Sequence, residues 1–429
     1  DTRTNRSAVE TSVMTPPSPS LFLLDPFVGT YLPGGETADN KKTLLSSGAK
    51  RAFGFPADLD CDALMRGLAL EADLAGAPDL SRLTLRGVRP FSTCIHAVDK
   101  NLIIMITSFP QVYPRGIYLI YNAIDRSLLM IPSAPSTPPS VLTSRVLVAR
   151  RRDDDISSYA LVFPGTVYDI GCPGRQPVLF VSGSSSKSQW EIAKFTNFPD
   201  HLLAEKSSFL AEDVFSHRGR GYWVDLLLGG MYCDCGDVFS SQRYMDAHSL
   251  DLPVGCERYL GCRDYIPEPR AFRAVGCVGD SIKFVSITGF LERVDLVDDR
   301  MVRVWRLKED MSWDVDYELK LGSLREEGAF KGNRLPTSMA PMYPFLNIQE
   351  DRVIYFALGE YIYQDPEFCF PSTPSFWVRV DMSSKTFNCT PLSLTDASIG
   401  CLLALSGNAE GKLAWTSQPS QLLKPCPVS

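Results

Sequence analysis

Between Arg273 and Leu358 the apolar positions fall into short runs: RAVGCVGDSIKFVSITGF, then VRVWRLKEDMSWDVDYELKLGSL, then RVIYFAL. SIKFVSI (281–287) and VRVWRL (302–307) are apolar on both faces, the pattern of strands covered from two sides. SWDVDYELKL (312–321) instead alternates, with Trp313, Val315, Tyr317 and Leu319 on one face and Asp314, Asp316, Glu318 and Lys320 on the other. That alternation predicts an outer strand with one wet face. Inner strands buried twice and outer strands buried once are what stacked β-blades produce.

The same texture covers most of the chain. CIHAV (94–98), LIIMITSF (102–109), GIYLIYNA (116–123), SLLMIP (127–132), VLVARR (146–151), SYALVF (158–163) and VLFVS (178–182) follow one another, some across short polar turns such as Asp99-Lys100-Asn101 and Ile124-Asp125-Arg126, and SLLMIP and VLVARR across the Pro/Ser loop PSAPSTPPS (132–140). In YWVDLLL (222–228) and MYCDC (231–235) the intervening Gly229-Gly230 predicts a hairpin, because glycine reaches the positive φ that primed turns need. In all, the pattern predicts about 23 strands and two short helices, near 57–66 and 205–212. That total divides into about six groups of four, as in a propeller of four-stranded blades. The expected fold is therefore all-β: a β-propeller of six four-stranded blades, with a double β-sandwich as the alternative. No repeat with a period of about 40–50 residues is visible. Residues 1–50, with TPPSPS and PGG, are expected to form a low-order arm in which LFLLDPF (21–27) could dock as a strand, and 51–429 the propeller-like domain.

YWVDLLLGGMYCDC, the Arg-Ala-Phe-Arg-Ala-Val-Gly segment with SIKFVSI, VRVWRL…SWDVDYELKLGSL, LPTSMAPMYPFLNIQEDRVIYFAL and FWVRVDMSSKTF, in this order and spacing, resemble the plant family called "domain of unknown function 1618", which is expanded in grasses. RGIYLIYNAIDRSLLMIP upstream looks like an earlier block of the same proteins. The resemblance implies a plant protein with a β-propeller-like domain, akin in style to those that accompany F-box proteins. It brings no catalytic residues. MYCDC departs from the aliphatic run expected there, and residues 1–50 lack the amphipathic helices of an F-box.

A net charge of −7 and pI near 5.3 argue against a nucleic-acid footprint, which needs a basic face. They suit a soluble cytoplasmic or nuclear protein. The apolar runs are too short to span a bilayer, and 12 cysteines in 429 residues do not make a disulfide scaffold. The sequon Asn388-Cys389-Thr390 has no secretory signal in the sequence to support its use. Cys233, Cys235, Cys256, Cys262 and Cys277 cluster, but Cys-x-Cys and Cys-x5-Cys are not the spacings of a structural zinc site, so they are read as packing residues. His96, His201, His217 and His248 form no His-x-x-x-His pair, and no Gly-x-Ser-x-Gly elbow exists for one to serve. GSSSKS (183–188) lacks the phosphate-loop spacing. RRRDDD (150–155) is a zwitterionic turn, VDLVDDR (294–300) fits no calcium loop, and the six tryptophans serve inter-blade packing.

These readings predict a monomeric, non-enzymatic scaffold that binds other proteins, with no metal or cofactor. Regulated proteolysis, stress response and defence are its expected settings, and a propeller enzyme or ligand binder using the central channel is the alternative. The loops expected to differ most from one propeller to another are 132–143, 183–188, 236–270 and 328–348, and 236–270 is the expected partner-binding one. The longest, 236–270, holds Arg243, Tyr244, Tyr259 and Arg263, residue types that anchor interfaces.

Overall fold

The computed structural model describes the chain outside 1–19, 25–27, 32–41, 75–79, 88–92, 110–112, 135–144, 153–154, 156, 169–174, 184–189, 204–208, 241–243, 257–268, 289–299, 327–338, 347–349, 360, 366–367, 372–375, 392–402, 408–412 and 415–429. The strands form six blades arranged in a ring, a β-propeller. Blade 1 joins the two ends of the chain: Ser20–Leu24 pairs antiparallel with Leu403–Gly407 and parallel with Leu80–Arg86, which continues to Ala69–Asp73 and Thr43–Leu44. Blade 2 runs Thr93–Asp99, Leu102–Phe109, Tyr113–Asn122 and Ser127–Pro132; blade 3 runs Leu147–Ala149, Ala160–Tyr168, Arg175–Gly183 and Glu191–Asn197. Blade 4 comprises Asp213–His217, Arg220–Asp225, Gly229–Asp234 and His248–Leu250. Blade 5 comprises Arg273–Val278, Ser281–Ile287, Met301–Leu307 and Trp313–Lys320; blade 6 comprises Ala340–Leu346, Val353–Gly359, Phe376–Asp381 and Thr386–Pro391. From blade 2 to blade 6 the first strands of successive blades lie beside one another, so these strands encircle the axis.

The core lies in the seams between blades. Phe215, Tyr222 and Val224 of blade 4 pack on Val275, Phe284 and Trp305 of blade 5. Val285, Val302 and Val304 of blade 5 pack with Phe356, Trp377 and Val380 of blade 6. Trp223 is fully buried and Trp305 is 6% exposed, as the doubly apolar runs predict.

Four features depart from the sequence reading. First, the hairpin in blade 4 turns at Leu226–Leu228 rather than at Gly229-Gly230. The Asp225 carboxylate accepts from Leu227 N and Leu228 N and closes the turn, while Gly230 sits in the strand because a Cβ there would meet Trp223 O at 2.4 Å. Second, the strict alternation of 312–321 is broken. A bulge between Val304/Trp305 and their partners inserts Asp316, so Val315 is 54% exposed while Asp316 turns toward Lys283.

Third, 236–270 is not simply an inserted loop. Tyr244–Asp246 adds as a parallel fifth strand to Glu191–Asn197 of blade 3, and His248–Leu250 is the outer strand of blade 4. Three-residue strands are too short to show a period, and here they stitch two blades together. Likewise 328–348 ends in a first strand, Ala340–Leu346, despite Pro341 and Pro344. A bulge between Met342 and Phe345 accommodates Pro344, with Tyr343 at φ 53°; bulges are where sheets tolerate proline.

Fourth, residues 1–50, expected as a low-order arm, supply Ser20–Leu24, Gly29–Tyr31 and Thr43–Leu44 to blade 1 and the start of Lys50–Ala52, which adds in parallel to blade 2. A helix forms at Cys61–Gly67, capped by Asp60, as expected near 57–66. Near 205–212 a short helix lies earlier, at Asp200–Leu203; Phe209–Glu212 is non-helical and 204–208 lies outside the described residues.

Candidate functional site

Antiparallel alternation sorts the connections around the axis into two ends. In blades 2 to 6, first-to-second and third-to-fourth strand connections share one end; six are tight, 100–101, 123–126, 218–219, 279–280, 308–312 and 382–385, while 150–159, 184–190 and 347–352 are longer and 235–247 is the detour that stitches blades 3 and 4. The opposite end carries the short connections 110–112, 169–174 and 226–228 and the long ones 133–146, 198–212, 251–272, 288–300, 321–339 and 360–375. Long connections on a rigid scaffold are where binding residues concentrate.

Under the loop end sits a buried charged junction. Arg145, Asp213 and Arg270 stand at or just before the first strands of blades 3, 4 and 5, with exposures of 1%, 0% and 3%. Asp213 Oδ1 lies 3.6 Å from Arg145 and 3.9 Å from Arg270, and its Oδ2 accepts from Val275 N at 3.2 Å. Arg270 also donates to the Glu212 carbonyl. Glu212 Oε2 accepts from Leu226 N at 2.8 Å, and Arg273 donates to Leu226 O at 2.7 Å. One carboxylate thus serves three blades. Burial pushes the Asp213 carboxyl above its ordinary value, against the opposing pull of Arg270 and Arg145. These groups hold seams together, and none of their side chains is more than 7% exposed.

At the turn end, seams carry different ion pairs. Arg150 of blade 3 meets Asp99 of blade 2 at 2.6 Å and Asn101 at 3.1 Å. Arg218 and Asp280 join the tight turns of blades 4 and 5 at 3.1 and 2.5 Å. Lys283 of blade 5, 1% exposed, meets Asp316 and Asp351 at 2.7 Å each and lies over the Tyr317 ring.

Of the residues expected to anchor partners, Tyr244 is 59% exposed on the strand that edges blade 3. Arg243, Tyr259 and Arg263 lie outside the described residues, as does Cys262. Cys233 and Cys235 pack in the core formed by blades 3 and 4, Cys256 and Cys277 in the seam of blades 4 and 5. Burial raises the Cys233 thiol well above its ordinary value, which makes it an inert packing group. No metal-ligating group of three is found among the described residues. His96 is buried beside Tyr118, and His248 is exposed and stacks on Tyr232. The sequence reading missed Arg145, Asp213 and Arg270. Their only signal is a charged residue at the foot of an apolar strand, which resembles a solvated turn.

Residues 223–355 match the family described as "Protein of unknown function (DUF1618)". No curated protein matches the chain. Among solved structures, the chain is similar to the β-propeller domain of Cps50 (Swd1) from Myceliophteria thermophila at 7% identity and TM-score 0.32, over 78% of this chain and 99% of that one. It is similar to the WD40 domain of SCAP from fission yeast at 8% identity and TM-score 0.33, over 82% and 81%. The haemagglutinin-neuraminidase of parainfluenza virus 5 with the ligand DANA gives 9% identity and TM-score 0.28, over 94% and 95%. No helix among the described residues is long and apolar enough to cross a membrane.

Proposed function

We propose that this chain, whose residues 223–355 match the DUF1618 family of unknown function, is a non-enzymatic scaffold that holds a partner protein against the loop end of its propeller. The observation that carries the reading is the asymmetry of the two ends. Connections such as 251–272, 288–300 and 321–339 leave one end, and tight turns close most of the other. A rigid ring with long segments on one end offers a broad surface that proteins can grip. Catalysis would call for a nucleophile with its base, or convergent acids and bases open to solvent. The buried charged side chains under the loop end, Arg145, Asp213 and Arg270, are instead engaged with one another across seams. The acidic balance suits a partner in the cytoplasm or nucleus, and the chain acts as a monomer. Regulated proteolysis, stress response and defence are the settings the family resemblance suggests.

Site-specific photo-cross-linking of the full chain in cells tests this. A cross-linker replaces Leu210 or Glu326 at the loop end, and Ile124 or Lys385 at the turn end; all four are exposed. Protein adducts are expected from the loop-end positions. Adducts from the turn end alone would overturn the placement. Turnover of a small molecule by the purified chain would overturn the scaffold reading.

A further inference from the structure

We propose that the outer edge of blade 5, residues 313–315, is a second docking site, one that takes an extended segment of a partner protein as a fifth strand. The chain itself does this twice. Lys50–Ala52 adds in parallel to the outer strand of blade 2, and Tyr244–Asp246 adds in parallel to the outer strand of blade 3. Both added strands have three residues, and the second tolerates an irregularity between Phe195 and Asn197. Trp313–Lys320 is longer than either strand that is covered in this way, and it pairs only on its inner side, with Met301–Leu307, among the described residues.

Edges are normally defended by charge and by bulges, and this one has both. The charges, however, are already engaged. Asp314 pairs with Lys308 at 3.3 Å, Asp316 with Lys283 at 2.7 Å, and Glu318 with Arg303. The bulge at Asp316 leaves 313–315 as a regular stretch as long as the covering strands in blades 2 and 3. Val315 is 54% exposed there, beside Trp313, whose indole donates to Asp251 O at 2.7 Å.

The hairpin geometry says which backbone groups are offered. Lys308 N donates to Ser312 O at 2.8 Å. Antiparallel pairs alternate between bonded and non-bonded, so the partners 307/313 and 305/315 are of the non-bonded kind. The N–H and C=O of Trp313 and Val315 therefore point outward. Their side chains share a face. The fitting partner is an extended peptide with apolar side chains two residues apart, running parallel to the strand as both internal examples do. This site extends the scaffold reading but does not share its surface, so loop-end adducts and edge binding fail independently.

The test uses full-length protein and a random linear peptide library displayed on phage. Peptides with alternating apolar residues are expected to be enriched. Their affinity should fall about tenfold on V315P, which removes one outward N–H, and should survive V315T, which keeps it. Proline is tolerated on an edge where the N–H faces solvent, so V315P should stay folded. If it does not, hydrogen exchange on the wild type decides: bound peptide should protect the amides of Trp313 and Val315 and not others on the strand. No enrichment, equal binding to V315P and wild type, or unprotected amides at both positions would each overturn the proposal.

Discussion

Two ion-pair clamps cross the seams of blades 4 and 5, and they sit in opposite environments. At the loop end Asp213 lies between Arg270 of blade 5 and Arg145 of blade 3, all at most 3% exposed, with charge separations of 3.6 and 3.9 Å. At the turn end Arg218 and Asp280 meet in a two-pronged pair as short as 2.5 Å, yet their side chains are 55% and 80% exposed. The exposed pair has the better geometry and the smaller consequence, because water screens it and solvates each partner when it breaks. The buried junction has poorer geometry and the larger consequence. Breaking it strands charges where water does not reach. Distance alone does not rank ion pairs; the medium does.

The largest effect is expected at Asp213. D213A removes the carboxylate that lies between the buried Arg145 and Arg270 and should cost about 3–5 kcal/mol, enough to unfold a marginal domain. Urea denaturation followed by tryptophan fluorescence would read it. A cost no greater than that of a surface alanine would mean that Arg145 and Arg270 are held by other groups. The comparison sharpens further if the whole junction is made apolar. The triple variant R145M, D213L, R270M should be neutral or more stable than the wild type by about 1–4 kcal/mol, since well-packed apolar groups often outperform buried ions. If the triple variant is as unstable as D213A, the junction has a positive role in setting the blades' register.

The same contrast explains what was readable in the sequence. The blades were legible because SIKFVSI, VRVWRL and the runs of blades 2 and 3 carry burial in their pattern. The buried junction was not. Arg145 and Asp213 sit next to Val146 and Val214, and a charge at a strand end reads as solvent exposure until neighbouring blades cover it. Asp316 shows the converse: it continued a regular alternation, and a single inserted residue turned it from wet face to seam. Short added strands such as Tyr244–Asp246 and Lys50–Ala52 leave no period at all. Of the four anchors read from 236–270, the structure places Tyr244 on an exposed edge. The difference between a loop and a stitch was invisible because it depends on a partner strand in another blade.

Lys283 is intermediate between the two clamps. Its side chain is 1% exposed, Asp316 is 10% exposed and Asp351 63%. Burial works against its charge, but the hydrogen bonds to Asp316 and Asp351 outweigh that and hold its pKa above the ordinary lysine value. A raised cationic group contributes stability that is complete below its unfolded pKa, about 10.4, and is lost as pH rises through the folded value. Thermal melts across the alkaline range should show the wild type losing Tm above that point. K283M should lose about 1–3 kcal/mol at neutral pH, because Asp316 in the seam loses its nearest cation and keeps only Arg306 at 3.9 Å. It should also show a flatter alkaline limb. Parallel curves for the two proteins would remove Lys283 as the source.

The smallest effect is expected at Arg218. It sits with Gly219 in a two-residue turn where both φ angles are positive, 47° and 75°, a conformation that suits Asn-Gly far better than Arg-Gly. The turn therefore sets backbone strain against an exposed ion pair. Asp280 holds the Arg218 guanidinium above its ordinary pKa and Arg218 holds the Asp280 carboxyl below its own, each mainly through their hydrogen bond. Screened as it is, that bond should not repay a left-handed arginine. R218N discards the ion pair and relieves the strain, so its Tm should equal or slightly exceed that of the wild type, and the wild type should lose any advantage first as salt is raised. D280N tests the pair without touching the turn and should leave Tm nearly unchanged. If D280N instead unfolds the protein as readily as D213A, exposure is not what separates the two clamps.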